Sequence, residues 1–152
     1  MIYDAGLPQH CTNAKVRQLM RRLDLHYDSE VAQSGLRTTQ YSLLSHVQRL
    51  GPVRPVDLAK AMRMTASTLS RNLQPLVSAG YLVVNAGADA RSHLVEITEA
   101  GRTKRKESQK HWKLAQQQLA DKIGAERVNA LHTLIDETLA LLASEAEVEE
   151  DS

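Results

Sequence analysis

The sequence has few aromatic residues and almost no cysteine. Among its 152 residues there is no Phe, and aromatic side chains make up 3%. A core must therefore be built from Leu, Val, Ala, Ile and Met, which suits packed helices. The single cysteine, Cys11, excludes an intrachain disulfide and is typical of a reducing compartment.

Long apolar runs and targeting signals are also missing. No run approaches the roughly 20 residues that span a bilayer, and the start of the chain lacks the basic and apolar stretches of a signal peptide. We therefore expect a cytoplasmic protein. The spacings typical of zinc sites, nucleotide-binding loops and hydrolase nucleophiles are absent too. We expect no bound metal, no cofactor and no enzymatic activity.

Charge is spread unevenly along a chain whose net charge is only +1. Residues 54–110 carry 10 Lys and Arg against 5 Asp and Glu, whereas residues 111–152 carry 3 against 9. This asymmetry indicates a polyanionic partner for the middle of the chain alone.

Apolar residues spaced by three and four predict helices over most of the sequence. The first helix is expected from about Asn13 to Val31, and the second begins at a cap on Thr38 or Thr39 and stops at Gly51. At the other end, Thr98 caps a long helix to about Ile123. Gly124 then separates it from a last helix, whose apolar stripe runs from Val128 to Leu142.

Two shorter helices in the middle, joined by a three-residue turn, predict a helix-turn-helix. The second of them is capped by Thr65 and covers about 66–79. Its outer arc is polar and carries no acid. Arg can contact guanine and Gln can contact adenine, while hydroxyls and a helix N-terminus suit phosphates. The predicted DNA contacts on this helix are Thr65, Ser67, Thr68, Ser70, Arg71 and Gln74. The alternative is an ordinary solvated face.

A hairpin follows this helix, with strands predicted over 81–86 and 94–97. Its turn contains Arg91, which a projecting wing would bring to the minor groove, and Asp89, which could hold the guanidinium in place. The alternative is a surface turn with an incidental ion pair.

Several stretches resemble the MarR family of transcriptional regulators. They are the wing signature from Asp89 through Arg91 and Thr98 to Gly101, the segment 35–41 before the second helix, Asp57-Leu-Ala, and 69–76. The resemblance covers about residues 13–143. It implies a mainly α fold with a small β-wing, in which a winged helix-turn-helix domain is joined to a helical dimerisation domain.

The same resemblance implies a domain plan and a function. We expect an N-terminal arm over 1–12, a dimerisation region over 13–34 and 99–143, a DNA-binding domain over 35–98 and a disordered acidic tail over 144–152. The expected function is a homodimeric repressor that binds double-stranded DNA at a pseudo-palindromic operator. The alternative is a winged-helix adaptor for other proteins that lacks sequence-specific DNA binding.

A ligand- or redox-responsive site is a further implication of the family resemblance. Arg17, His26, Tyr27 and Tyr41 lie on elements that could line a pocket for a small anionic or phenolic effector, or they are ordinary core and interface residues. Cys11 is either a redox switch or an inert thiol.

Pro75 departs from the pattern of the second short helix. It removes one backbone hydrogen bond and favours a kink. We expect the helix to tolerate it, because the residues that follow still reach the core.

Overall fold

In the computed structural model of the protein, residues 10–86 and 93–150 are described, with side chains as far as residue 143. The described chain is helical apart from one hairpin. Its elements are α1 (Thr12–Val31), α2 (Thr38–Leu50), α3 (Pro55–Ala61), α4 (Ala66–Ser78), β1 (Leu82–Ala86), β2 (His93–Ile97), α5 (Glu99–Ile123) and α6 (Ala125–Glu150).

Local capping residues set most of the helix ends where the sequence predicts them. Thr65 is the N-cap of α4, and its hydroxyl accepts the Thr68 N–H at 3.2 Å. Thr98 accepts the Gly101 N–H at 3.0 Å before α5. Gly124 has a φ of 92°, the left-handed conformation that ends α5.

Two boundaries differ from the prediction. The N-cap of α2 is Arg37, because Thr38 is already helical and gives both its N–H and its hydroxyl to Asp28, at 2.9 and 2.8 Å. The Gln40 side chain accepts the Arg37 N–H at 2.9 Å instead. In addition, α6 continues to Glu150, through the segment predicted to be a disordered tail. That segment has no Gly or Pro, and Ala and Glu favour helix.

The hairpin is antiparallel, with Leu82 opposite Ile97 and Ala86 opposite His93. Val53 adds a bridge at its edge: the Val53 N–H donates to the Val95 carbonyl at 3.1 Å, and the Val95 N–H donates back at 2.8 Å. The sequence does not predict this bridge, because Val53 and Arg54, the two residues between Pro52 and Pro55, are too few to show a period. The turn of the predicted wing lies outside the described residues.

The core forms within a compact unit that ends at Ala115. Side chains from α2, α3, α4 and both strands build it, with Leu44, Leu58, Leu69, Leu76 and Val95 at most 1% exposed. The helix α4 runs unbroken through Pro75, and Leu76 still reaches the core, as the sequence predicts. This packing fixes which side of α4 faces outward.

A second compact unit begins at Gln116. It contains the end of α5 and all of α6. Within it α6 carries a row of large apolar side chains that are largely exposed, among them Leu134, Ile135, Leu139 and Leu142. None of the described helices is both long enough and apolar enough to cross a membrane.

Candidate nucleic-acid interface

The outward face of α4 is the centre of the candidate site. Leu69, Leu73 and Leu76 bury the inner side of the helix. Ser67, Ser70, Arg71 and Gln74 are exposed on the outer side. Within the described residues, the side chains of Ser70, Arg71 and Gln74 make no hydrogen bond or ion pair. Because no bond to another described residue has to be broken, these groups can bind a partner.

The hydroxyls at the start of α4 are joined to one another. The Thr65 hydroxyl donates to the Thr68 hydroxyl at 2.9 Å and lies 3.3 Å from that of Ser67. Thr65 and Ser67 are exposed, and Thr68 is half-buried. This cluster fixes the first turn, where a helix presents N–H donors and a positive dipole end that suit an anion.

The surroundings of α4 are cationic. The helix itself has no acidic residue. The nearest acid in sequence, Asp57 on α3, is already paired with Arg54 at 2.9 Å. An anionic surface that approached α4 would therefore meet Arg71 without an unpaired carboxylate on the helix-turn-helix to oppose it.

A cleft of about 340 Å³ lies between the start of α2 and α4. Its lining residues are Arg37, Thr39, Gln40, Leu43, Arg71, Asn72 and Pro75. Arg37 therefore shares a cleft with Arg71, although the two are far apart in sequence. Arg37 is not predicted as a site residue from the sequence, because apolar spacing does not reveal which helix ends meet.

Of the wing, the two strands lie within the described residues and the turn does not. His93 is exposed at the start of β2, opposite Ala86 of β1. Asp89 and Arg91, the wing residues predicted to contact DNA, lie outside the described residues. Their role stays a prediction.

The four residues of the predicted effector site do not all come together. Arg17 is exposed and its Nε donates to Asn13 at 3.3 Å, about 13 Å along the helix axis from His26. The His26 Nε2 donates to the Ala115 carbonyl at 2.7 Å, and its ring lies edge-on to Tyr27, 5.5 Å away. Burial raises the pKa of Tyr27 above its ordinary value.

Tyr41, the fourth of these residues, is buried. Its ring centroid lies 6.0 Å from that of Trp112, and the Arg105 guanidinium lies 5.9 Å from the Tyr41 ring. Cys11, the predicted redox residue, is an exposed free thiol at the N-cap of α1. An effector site at the four residues and a redox role for Cys11 both stay predictions.

A helix-turn-helix that is followed by an antiparallel hairpin and a long helix defines a winged-helix protein. Residues 34–92 match the model of the MarR family. The predicted resemblance to the MarR family is confirmed over this segment, and the predicted fold class is confirmed by the solved structures described next.

Solved structures of regulators share this fold. The M. tuberculosis transcriptional regulator MosR in complex with DNA is 28% identical, with a TM-score of 0.72 over 87% of this chain and 98% of that chain. The transcriptional repressor CouR, bound to a 23-mer DNA duplex, is 18% identical with a TM-score of 0.80, over 91% and 99%. MarR from E. coli is 20% identical with a TM-score of 0.67, over 85% and 97%. No curated protein sequence matches the chain significantly.

Proposed function

We propose that this protein is a transcriptional regulator that binds a specific sequence of double-stranded DNA through α4 and the wing. The observation that carries the proposal is the outer face of α4, where Ser70, Arg71 and Gln74 are exposed and unbonded within the described residues. A helix with such a face fits the major groove. The DNA complexes of MosR and CouR support it by similarity of fold.

Each contact has a separate chemical role in this proposal. Arg71 donates two hydrogen bonds to a guanine edge, and Gln74 pairs with an adenine or supports a neighbouring contact. Thr65, Ser67, Thr68 and Ser70, with the N-terminus of α4, hold phosphates and set the register. Arg91, oriented by Asp89, enters the minor groove.

We propose further that the regulator is a homodimer. Val16 and Met20 on α1 are 58% and 57% exposed, and the apolar row on α6 is exposed to a similar degree. A monomer rarely leaves such rows in water, because burying them is favourable by about 25 cal/mol per Å². In this plan residues 13–34 and 99–143 form the dimer, and 35–98 bind DNA. A two-fold dimer matches a pseudo-palindromic operator.

We also propose that the protein represses transcription and that a small effector, or oxidation of Cys11, releases it from DNA. CouR, which has a similar fold, is a transcriptional repressor. The exposure of Cys11 supports a thiol that peroxide can reach. If Cys11 is the switch, peroxide weakens DNA binding by the natural protein and leaves Cys11→Ser unaffected. Equal weakening of both would contradict this role.

The test of the DNA contact compares Arg71→Ala with the natural protein across a library of duplexes. We expect the variant to lose preference at one base pair in each half-site, a change of about 1–3 kcal/mol. Arg127→Ala, which removes an exposed Arg from α6, is the matched control and should retain the full preference. If Arg71→Ala weakens every duplex equally, Arg71 contacts phosphate and does not read a base.

A further inference from the structure

A second polar cavity lies between the C-terminal half of α2 and the beginning of α5. Its volume is about 320 Å³, and it is lined by Ser45, His46, Gln48, Arg49 and Arg105. None of these residues lines the cleft beside α4. It also contains none of the four residues predicted to bind an effector.

The lining of this cavity is cationic. Arg49 and Arg105 both face it, no carboxylate lines it, and neither Arg forms an ion pair with another described residue. Arg105 is held in place from two sides: its Nε–H donates to the Ser45 hydroxyl at 3.0 Å, and its guanidinium lies 5.9 Å from the Tyr41 ring. These contacts leave its terminal N–H groups available for a ligand.

The remaining lining groups are also hydrogen-bonding groups. The His46 Nδ1–H donates to the Ser42 carbonyl at 2.8 Å, which leaves Nε2 as the free nitrogen of that ring. Gln48 adds an amide. No Leu, Val, Ile, Met or aromatic carbocycle lines the cavity. Of the small anionic or phenolic effectors that the family resemblance implies, such a lining suits a compact, strongly hydrated anion better than a phenol.

We propose that this cavity binds the phosphate group of a small ligand and that its occupancy alters DNA binding. A phosphate ester carries a charge of about −1.5 to −2 at neutral pH, which two guanidinium groups neutralise. Arg forms paired hydrogen bonds with phosphate oxygens. The volume is near the lower end of the range for ligand pockets, about 300–1,000 Å³, so the ligand is small.

The position of the cavity explains how its occupancy reaches the DNA-binding face. The helix α2 packs against α4 and β2, and α5 begins two residues after β2 ends. A ligand held between α2 and α5 therefore contacts the helix that supports α4 and the helix that follows the wing. It changes DNA affinity to the extent that it prefers one arrangement of these elements. This regulatory step rests on the proposed function, whereas the binding site itself does not.

The chain contains its own reporter for binding. Trp112 is its one tryptophan, and its ring centroid lies 6.0 Å from that of Tyr41, the ring that Arg105 contacts. A phosphate that accepts hydrogen bonds from the Arg105 guanidinium changes the surroundings of this aromatic pair. Tryptophan fluorescence of the full chain therefore follows the titration directly.

The experiment titrates the protein with glycerol 3-phosphate, inorganic phosphate, glycerol and benzoate. We expect a saturable fluorescence change with a phosphate and none with glycerol. If glycerol 3-phosphate binds more tightly than inorganic phosphate, the ligand is a phosphate ester. If the two bind equally, the ligand is free phosphate. Arg49→Gln and Arg105→Gln each weaken binding about tenfold or more, because a charge-assisted contact is lost. Arg127→Gln, an exposed Arg on α6, is the control and binds as the natural protein does.

Several results would overturn the site. One is the absence of a saturable fluorescence change up to about 10 mM phosphate, a range wide enough to reveal a Kd of about 1 mM. Another is tighter binding of benzoate than of either phosphate. A third is unchanged phosphate binding in both Arg variants. Should Arg105→Gln lose its helical circular dichroism, Arg49→Gln decides, because Arg49 is exposed and its side chain forms no hydrogen bond or ion pair with another described residue.

The regulatory step is tested with the same variants on DNA. Ligand at a concentration near the Kd of the natural protein should change its DNA affinity and should change that of Arg49→Gln much less. If both Arg variants bind DNA poorly without ligand, the cavity is part of the DNA surface and the inference fails, although the proposed function stands. If the natural protein binds no DNA, the proposed function fails, while the fluorescence titration still decides the site.

Discussion

Gly101 fixes the contact between the base of the wing and α5. A Cβ atom at this position would lie 2.1 Å from the Tyr81 carbonyl oxygen and 2.8 Å from the Ile97 side chain. The Tyr81 carbonyl also accepts the Thr98 N–H at 3.1 Å, so it is not free to move away. The backbone at the start of α5 therefore needs a residue without a side chain.

We expect Gly101→Ala to lower the free energy of unfolding by about 2 kcal/mol or more. The clash outweighs the roughly 1 kcal/mol by which Ala favours helix. Urea denaturation followed by circular dichroism, at one fixed protein concentration, measures the change. Thr103→Ala, an exposed position on the same helix, is the control and should change stability by less than about 0.5 kcal/mol. A stable Gly101→Ala variant would contradict the close approach.

Residues whose place can be predicted from the sequence depend on signals within one helix. Residues whose place cannot be predicted depend on contacts between distant segments. Thr65 and the inner leucines of α4 follow from signals within one helix, a cap and a spacing of three and four. Arg105 does not, because its place depends on how α5 meets α2, some 60 residues earlier. The same holds for the buried pair of hydroxyls on Ser34 and Ser108, which lie 2.7 Å apart.

At the scale of elements, α4 is unusual in containing Pro75 near its C-terminal end. Proline has no N–H, so the Arg71 carbonyl loses its partner in the helix. The helix continues to Ser78 because Leu73 and Leu76 anchor it to the core on both sides of Pro75. The residues of α4 proposed to contact DNA all come before Pro75 in the sequence.

Pro75→Ala should therefore stabilise the protein without altering the DNA-binding face. Restoring the hydrogen bond to Arg71 offsets the greater freedom of the unfolded chain, and we expect a net gain of about 1–2 kcal/mol. Thermal unfolding measures the gain, and DNA affinity should stay within about twofold. A loss of stability, or a large change in affinity, would show that the path of α4 depends on the proline.

Most elements are predictable because each begins and ends at a local signal. The helices agree with the sequence within a few residues, except at the end of α6, where good helix formers extend the helix beyond its apolar stripe. The bridge at Val53 is not predictable, since it depends on a pairing with β2 across 42 residues. Tertiary contacts thus supply the parts that periodicity cannot.

At the scale of the molecule, the exposed apolar rows on α1 and α6 call for a partner surface. On α6, Ile135 and Leu139 are 44% and 46% exposed, values unlike those of a buried stripe. Their spacing places them on one side of the helix. In the proposed homodimer a second copy of the chain would supply an identical row, and this symmetry would double the effect of any substitution at the interface.

Leu139→Glu should convert the dimer into a monomer. The substitution places a carboxylate in an apolar interface from both copies at once, and burying an unpaired charge is costly. Sedimentation equilibrium should show a mass of twice 16.9 kDa for the natural protein and 16.9 kDa for the variant. Glu137→Gln, on the opposite side of the helix, is the control and should remain dimeric. A monomeric natural protein would contradict the proposed assembly.

In the proposed dimer two copies of the α4 face read DNA together. Iterative selection from a pool of random duplexes, at near-physiological salt and with a reductant present, tests whether they do. We expect enrichment of an inverted repeat with half-sites about one helical turn, roughly 10 bp, apart. Binding that is weak, sensitive to salt and without any enriched sequence would contradict it, and would favour a winged-helix adaptor for another protein.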